Sequence, residues 1–369
     1  MQRHIWALGI VALLSTAACK KTQPVHTIGL ALDVGGRGDQ SFNDGALRGL
    51  EQMAAGLRYT ASGYEPLPDA EYPAELRARF PHLGLPPPLV LSGKAQEDYE
   101  PNLQLLVDQG AELIIAVGFM MEPAVRAVAA RNPNARFLLL DSPVLDAKGK
   151  PTTVPNVRAV VFRENEGSFL AGALAAEASK GGKIGFVGGM QLPLIRKFEA
   201  GFRAGVAQVN PAAQVLVAYT GTFDDEKKGV EVGQDLYAHG CDVVFHAAGL
   251  DGLGVIKAAQ QAGKLVIGVD SDQAHVAPRH VLTSMLKRVD VAVYLAVKDV
   301  LERKFSGGDV VLGLREGGVD LAPVGELIPP AEREKALAEV ARLRAEIVAG
   351  KLAVPATLEE LSKSAAARP

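Results

Sequence analysis

The sequence predicts an α/β protein of two doubly wound, parallel-sheet lobes with a ligand cleft between them. Three observations carry this. Short apolar, β-branched runs recur over residues 27–32, 89–92, 113–117, 136–140, 157–162, 183–187, 215–220, 242–247 and 265–269, most of them ending at Gly, Asp or Ser. Most are separated by stretches with helical spacing, and continuous apolar strands alternating with helices mean a parallel sheet covered on both faces. Nine such units in 369 residues exceed one comfortable sheet, and the length is about twice that of a common domain.

The elements follow in chain order. Residues 1–18 read as an export signal: Arg3 and His4, an apolar run over 5–14, then Ser15, Thr16, Ala17 and Ala18. That run is too short to cross a hydrocarbon core of roughly 30 Å as a helix. Cys19 follows at the position of a bacterial lipobox, where the cysteine is acylated and becomes the first mature residue. Thr16 stands where Leu is usual, and Thr16-Ala17-Ala18 also fits an ordinary small-x-small cleavage site. Lipidation at Cys19 is expected, with 19–25 (Lys20, Lys21, Pro24) as a polar tether. The protein is then a lipoprotein of the cell envelope, held on the membrane and facing the periplasm or the exterior.

The first lobe takes residues 26–158 and 288–315. Ala46, Leu50, Met53 and Leu57 make one helical face in it, and Leu103, Leu106 and Val107 belong to another. Pro66, Pro68, Pro73, Pro81 and Pro86 to Pro88 mark 56–88 as an irregular insertion with one turn of helix over 74–80. The run 157–162 is read as the first crossover to the second lobe, which takes 159–287 and 316–350, and 288–301 as a helix returning to the first. Pro330 opens a last helix that Gly350 closes, and 357–369 is expected to fray.

Composition removes several function classes. With 48% hydrophobic and 22% charged residues the chain is not disordered. Lys+Arg of 39 against Asp+Glu of 42 leaves a net charge of −3, without the basic field that nucleic acid requires. Two cysteines make neither a disulfide framework nor a four-thiolate zinc site, and Cys241 reads as a small hydrophobe. There is no H-E-x-x-H, P-loop or G-x-S-x-G, and the glycines 249, 252 and 254 do not form a dinucleotide fingerprint. No enzyme activity, cofactor or metal is expected.

Ligands of open α/β sheets bind beyond the carboxyl ends of the strands. There the sequence places Asp33, Gly118, Phe119, Asp141, Gly188, Gly189, Gly221, Thr222, Gly249 and Asp270, which describes a polar cleft, with Phe42 and Phe198 as its aromatic members. Carboxylates that end apolar strands are costly unless paired or ligand-facing. Asp141 before Ser142-Pro143 also fits a helix cap, and Asp272 is the alternative to Asp270 in the same loop. Phe198 shares a helical face with Phe202 at i+4 and could equally be core, but it stands nearer the helix start and is preferred over Phe202 for the cleft.

The segment from Asp33 to Ala46 (DVGGRGDQSFNDGA) resembles the opening motif of the basic membrane protein family, substrate-binding lipoproteins that include purine nucleoside receptors. The similarity continues through FRENEGSFLAGAL (162–174), KFEAGFRAG (197–205), AAGLDGLGV (247–255), VIGVDSDQ (266–273), TSMLKRVD (283–290) and AGKLAVP (349–355). The insertion at 56–88 departs from the usual pattern. The resemblance implies a type I periplasmic-binding-protein fold that captures a purine nucleoside by hinge closure and delivers it to the permease of an ABC transporter. It implies a base held between aromatics and a ribose held by carboxylates and a lysine. The ligand-binding set is then Asp33, Phe42, Asn43 and Asp141 from the first lobe and Phe198, Gly249, Asp270 and Lys287 from the second. A monomer is expected. The alternatives are a binder of a sugar or signalling molecule, and a nucleoside hydrolase holding calcium on the acidic loop of Asp33, Asp39, Asn43 and Asp44.

Overall fold

The computed structural model describes residues 26–366, so the signal segment, Cys19 and the tether lie outside the described residues. From β1 (Ile28–Leu32) the chain enters α1 (Phe42–Leu47), which continues with wider spacing over Arg48–Ala55 until Gly56 ends it at φ 70°. Leu57, expected on that helix face, instead begins a hairpin of β2 (Leu57–Thr60) and β3 (Gly63–Pro66). After α2 (Ala74–Arg79) come β4 (Leu89–Ser92), α3 (Tyr99–Asp108), β5 (Leu113–Ala116), α4 (Glu122–Arg131), β6 (Phe137–Leu140) and β7 (Val157–Phe162). Every residue of β1, β5 and β6 is buried, as a sheet covered on both faces requires.

The second half runs through α5 (Glu164–Ala178), β8 (Lys183–Gly188), α6 (Pro193–Val209), β9 (Gln214–Tyr219), α7 (Glu226–Ala238), β10 (Val243–Ala247), α8 (Asp251–Ala262), β11 (Leu265–Asp270) and β12 (Val281–Lys287). Then follow α9 (Val289–Leu301), β13 (Gly308–Leu312), β14 (Val319–Leu321), α10 (Pro330–Val348) and α11 (Leu358–Ala366). One sheet has the order β13-β7-β6-β5-β1-β4, and the other β14-β12-β11-β10-β8-β9, with only β14 antiparallel. Helix α9 returns to pack on the Arg48–Ala55 helix of the first lobe. Among the described residues no helix is long and apolar enough to cross a membrane.

Three expectations are corrected. The run 157–162 is not a crossover. It pairs with β6 on one side and β13 on the other, because its backbone groups and the buried Val157, Ala159, Val160 and Phe162 complete the first sheet, and the chain crosses only after Phe162. The insertion is not irregular throughout. Leu67, Tyr72, Phe80 and Leu85 are buried, the Tyr294 hydroxyl of α9 donates to the Pro81 carbonyl at 2.7 Å, and the rings of Phe80 and Tyr294 meet edge to face at 5.2 Å. The tail does not fray over its described part. Thr357 Oγ1 accepts the Glu360 N–H, and α11 packs on α6.

Helices α5 and α6 touch backbone to backbone. A Cβ on Gly172 would lie 2.1 Å from the Phe202 carbonyl oxygen, and one on Gly205 would lie 2.0 Å from that of Phe169. The lobes are joined by three connections, after β7, after β12, and between β13 and β14.

Candidate ligand-binding cleft

The loop after β1 builds the first-lobe wall. Asp33 Oδ1 accepts the Gly35 N–H at 2.9 Å and the Asn43 side-chain N–H at 2.7 Å. Asp39 is buried and accepts backbone N–H groups of Ser41, Asn43 and Asp44 at 3.0, 2.8 and 3.0 Å, so it caps α1 and presents Phe42 at the helix start. Burial raises its pKa to about 7 against those hydrogen bonds. Asp44 accepts the N–H groups of Gly38 and Gln40. Both carboxylate oxygens of Asp39 and of Asp44 are thus occupied by the turn itself, which weakens the calcium-loop alternative.

Asp141 directly follows β6, as Asp33 follows β1, and Asp270 ends β11, so the first sheet delivers two strand-end aspartates to the cleft and the second delivers one. Asp141 and Asp270 have left-handed backbones, φ 67° and 63°, a conformation that costs a non-glycine residue on the order of 1 kcal/mol or more. One oxygen of each is engaged: Asp141 Oδ2 accepts from Lys287 Nζ at 2.6 Å, and Asp270 Oδ2 from Ser41 Oγ across the lobes. The other oxygen of each is buried without a hydrogen-bond partner among the described residues. Burial raises both pKa values against the pull of Lys287, that of Asp141 to about 6.

Lys287 ends β12 and is the charge centre of the site. Its ammonium lies 3.8 Å from Asp270 and from Glu164, and 4.7, 5.3 and 5.6 Å from the ring centres of Phe42, Phe198 and Phe162. Burial acts to discharge it, but the three carboxylates outweigh that and its pKa is raised.

All eight residues singled out from the sequence, Asp33, Phe42, Asn43, Asp141, Phe198, Gly249, Asp270 and Lys287, line one cavity of about 580 Å³. Gly249 has φ 55°, and a Cβ there would lie 3.1 Å from the Phe223 carbonyl oxygen, so a side chain would be both strained and crowded. Phe202 is the core member of its pair, packed with Phe186 and Phe245. Asp272 is exposed, accepts the Ala274 N–H and lies outside the cavity. Two further aromatic walls meet edge to face at 6.3 Å: Phe119, placed at a strand end by the sequence but not counted among the aromatic members, and Phe223, which was not named. Both follow strand ends, so the same rule that found the aspartates pointed to them.

Over residues 27–357 the chain matches the family described as ABC transporter substrate-binding protein PnrA-like. It is 32% identical to basic membrane protein A2 of Borrelia garinii subsp. bavariensis, over 88% of this chain and 87% of that one. It is 31% identical to the ABC transporter nucleoside-binding protein BmpA of Lactococcus lactis subsp. cremoris, over 96% and 99%. An ABC transporter solute-binding protein from Aeropyrum pernix K1 superposes with a TM-score of 0.73 at 29% identity, covering 91% of this chain and 96% of that one. The Lac repressor, at 15% identity and a TM-score of 0.52 over 82% of each chain, shares the two-lobe periplasmic-binding-protein fold alone. The chain belongs to the basic membrane protein family and is a PnrA-like substrate-binding protein of an ABC transporter.

Proposed function

We propose that the cleft captures a purine nucleoside, that the lobes close over it, and that the closed protein delivers it to a permease while a lipid on Cys19 holds it outside the cytoplasm on a membrane. One observation carries the choice of ligand. Two aromatic faces, Phe42 and Phe198, share a cavity with Lys287 and with two aspartates whose free oxygens are buried and unbonded among the described residues. A flat base matches the rings, and ribose hydroxyls match the oxygens of Asp141 and Asp270 and the Lys287 ammonium. Asp33 and Asn43 face the base edge, and Gly249 lets the backbone approach. The relative from Lactococcus lactis is named as nucleoside-binding, which supports the same reading. The family's role is capture rather than catalysis, and we read the cleft that way.

Calorimetry with guanosine, guanine, ribose and GMP tests this. Guanosine is expected to bind at least tenfold more tightly than guanine, because each polar group left buried and unpaired costs roughly 1–3 kcal/mol. GMP should bind poorly, since its phosphate meets Asp141 and Asp270. Phe42→Ala should weaken guanosine by about tenfold, given roughly 1–3 kcal/mol for a stacked base. Guanine binding as tightly as guanosine would refute the ligand assignment.

A further inference from the structure

Glu164 does not line the cavity, yet it reaches the charge centre of it. It is the first residue of α5, two positions beyond β7 at the first connection between the lobes, and it is 0% exposed. Its Oε2 accepts from Lys197 Nζ at 2.8 Å, and the same ammonium donates to the Phe162 carbonyl at 3.1 Å. Its Oε1 has no hydrogen-bond partner among the described residues and lies 3.8 Å from Lys287 Nζ. A chain of alternating charge, Lys197, Glu164, Lys287 and Asp141, therefore runs from α6 through the connection to the end of β6.

We propose that Glu164 is a positioning residue for ligand capture: from behind the cleft wall its carboxylate holds the Lys287 ammonium at the height where a ligand meets it. This rests on the reading that Lys287 contacts the ligand. Lysine is a point charge on a flexible four-carbon stem, and nothing in its own geometry fixes where the charge sits. The other two carboxylates near it, Asp141 and Asp270, both line the cavity. On their own they draw the ammonium into the space that a ligand must occupy. Glu164 supplies the opposing pull from outside that space. It sits in the first turn of α5, at the positive end of that helix, and is itself held by its bond to Lys197. The competing account is that Glu164 only stabilises the start of α5 and balances Lys197.

A double-substitution cycle separates the two. Guanosine affinity is measured for wild type, Glu164→Gln, Lys287→Met and the double variant. Glu164→Gln should lose roughly tenfold or more in the wild-type background, and less than about twofold once Lys287 is gone, because a residue acting through another has nothing left to act on. Equal losses in both backgrounds overturn the proposal. The ¹⁵N resonance of the Lys287 ammonium, assigned by its absence from Lys287→Met, gives a readout without ligand. It should shift or broaden away in Glu164→Gln, and an unmoved resonance overturns the proposal. If wild type binds no nucleoside, the ligand assignment has failed, and the resonance alone decides on Glu164. The resonance also decides if Lys287→Met abolishes binding. Should Glu164→Gln not fold, Glu164→Asp, which keeps the charge but withdraws it by one methylene, is judged by the same criteria.

Discussion

His246, on β10, is wholly buried, and neither ring nitrogen has a hydrogen-bond partner among the described residues. Burial lowers its pKa to about 4, against a smaller upward pull from the Gln273 side chain. An unfolded histidine titrates near 6.5. Its neutral form therefore supports the fold fully above about pH 6.5, and that support is lost as pH falls towards 4, where the unfolded chain takes the proton first. Asp39, raised to about 7 by burial, works in the opposite direction over much of the same range. The comparison of wild type with a variant isolates the histidine. Between pH 7 and 4.5, wild type should lose on the order of 2 kcal/mol more unfolding free energy than His246→Leu, read from urea titrations at each pH. Equal losses would show that the ring is protonated, or solvated, in the folded state. At this scale the site was largely legible, because the carboxyl end of a parallel strand is a place that sequence alone can locate. The link from Glu164 to this site was not legible: it stands in a run of polar residues at a helix start, where a charge is unremarkable, and only the fold brings it to Lys287.

Among elements, the α5–α6 pair shows the tightest constraint. Gly172 and Gly205 allow each helix to press on a carbonyl of the other, and an added methyl must push the backbones apart. Gly205→Ala should destabilise by about 2–3 kcal/mol in urea unfolding, while any protein that folds binds guanosine normally, since the contact lies away from the cleft lining. Unchanged stability would mean that the helices separate freely. The same scale shows where sequence reading stopped. Runs such as the buried β5 and β6 are apolar throughout and were readable. β12 interrupts its apolar run with Thr283 and Ser284, whose hydroxyls donate to the Ala322 carbonyl and accept the Gln273 N–H, both partners distant in sequence. β13 is a half-exposed edge and β14 has three residues, so neither carries a strong pattern. The insertion hides its order because its core residues are anchored by α9, more than two hundred positions later.

For the whole molecule, the contacts across the cleft matter most. Ser41 donates to Asp270, Ser271 donates to the Ser41 carbonyl at 3.2 Å, and the Gln273 side chain donates to the Gln40 carbonyl at 3.2 Å. Asp270 thus belongs both to the seam and to the cavity. A ligand shifts the lobes only through contacts that differ between open and closed forms. Asp270→Ala should lose roughly ten- to a hundredfold in guanosine affinity, and at saturating guanosine its radius of gyration by small-angle scattering should fall less than that of wild type. Normal affinity with normal compaction would remove Asp270 from both roles. The three connections between the lobes carry a further consequence, for how such a chain is made. Neither lobe is a continuous piece of sequence: the first sheet waits for β13, and its helical cover waits for α9. Synthesis proceeds from the N-terminus, so a nascent chain that has just completed β12 holds nearly all of the second sheet but still has β7 as a bare edge and Leu50 and Met53 without their covering helix. Such a protein matures as a unit, late in its emergence, and cannot be shortened to one lobe without exposing the core of the other.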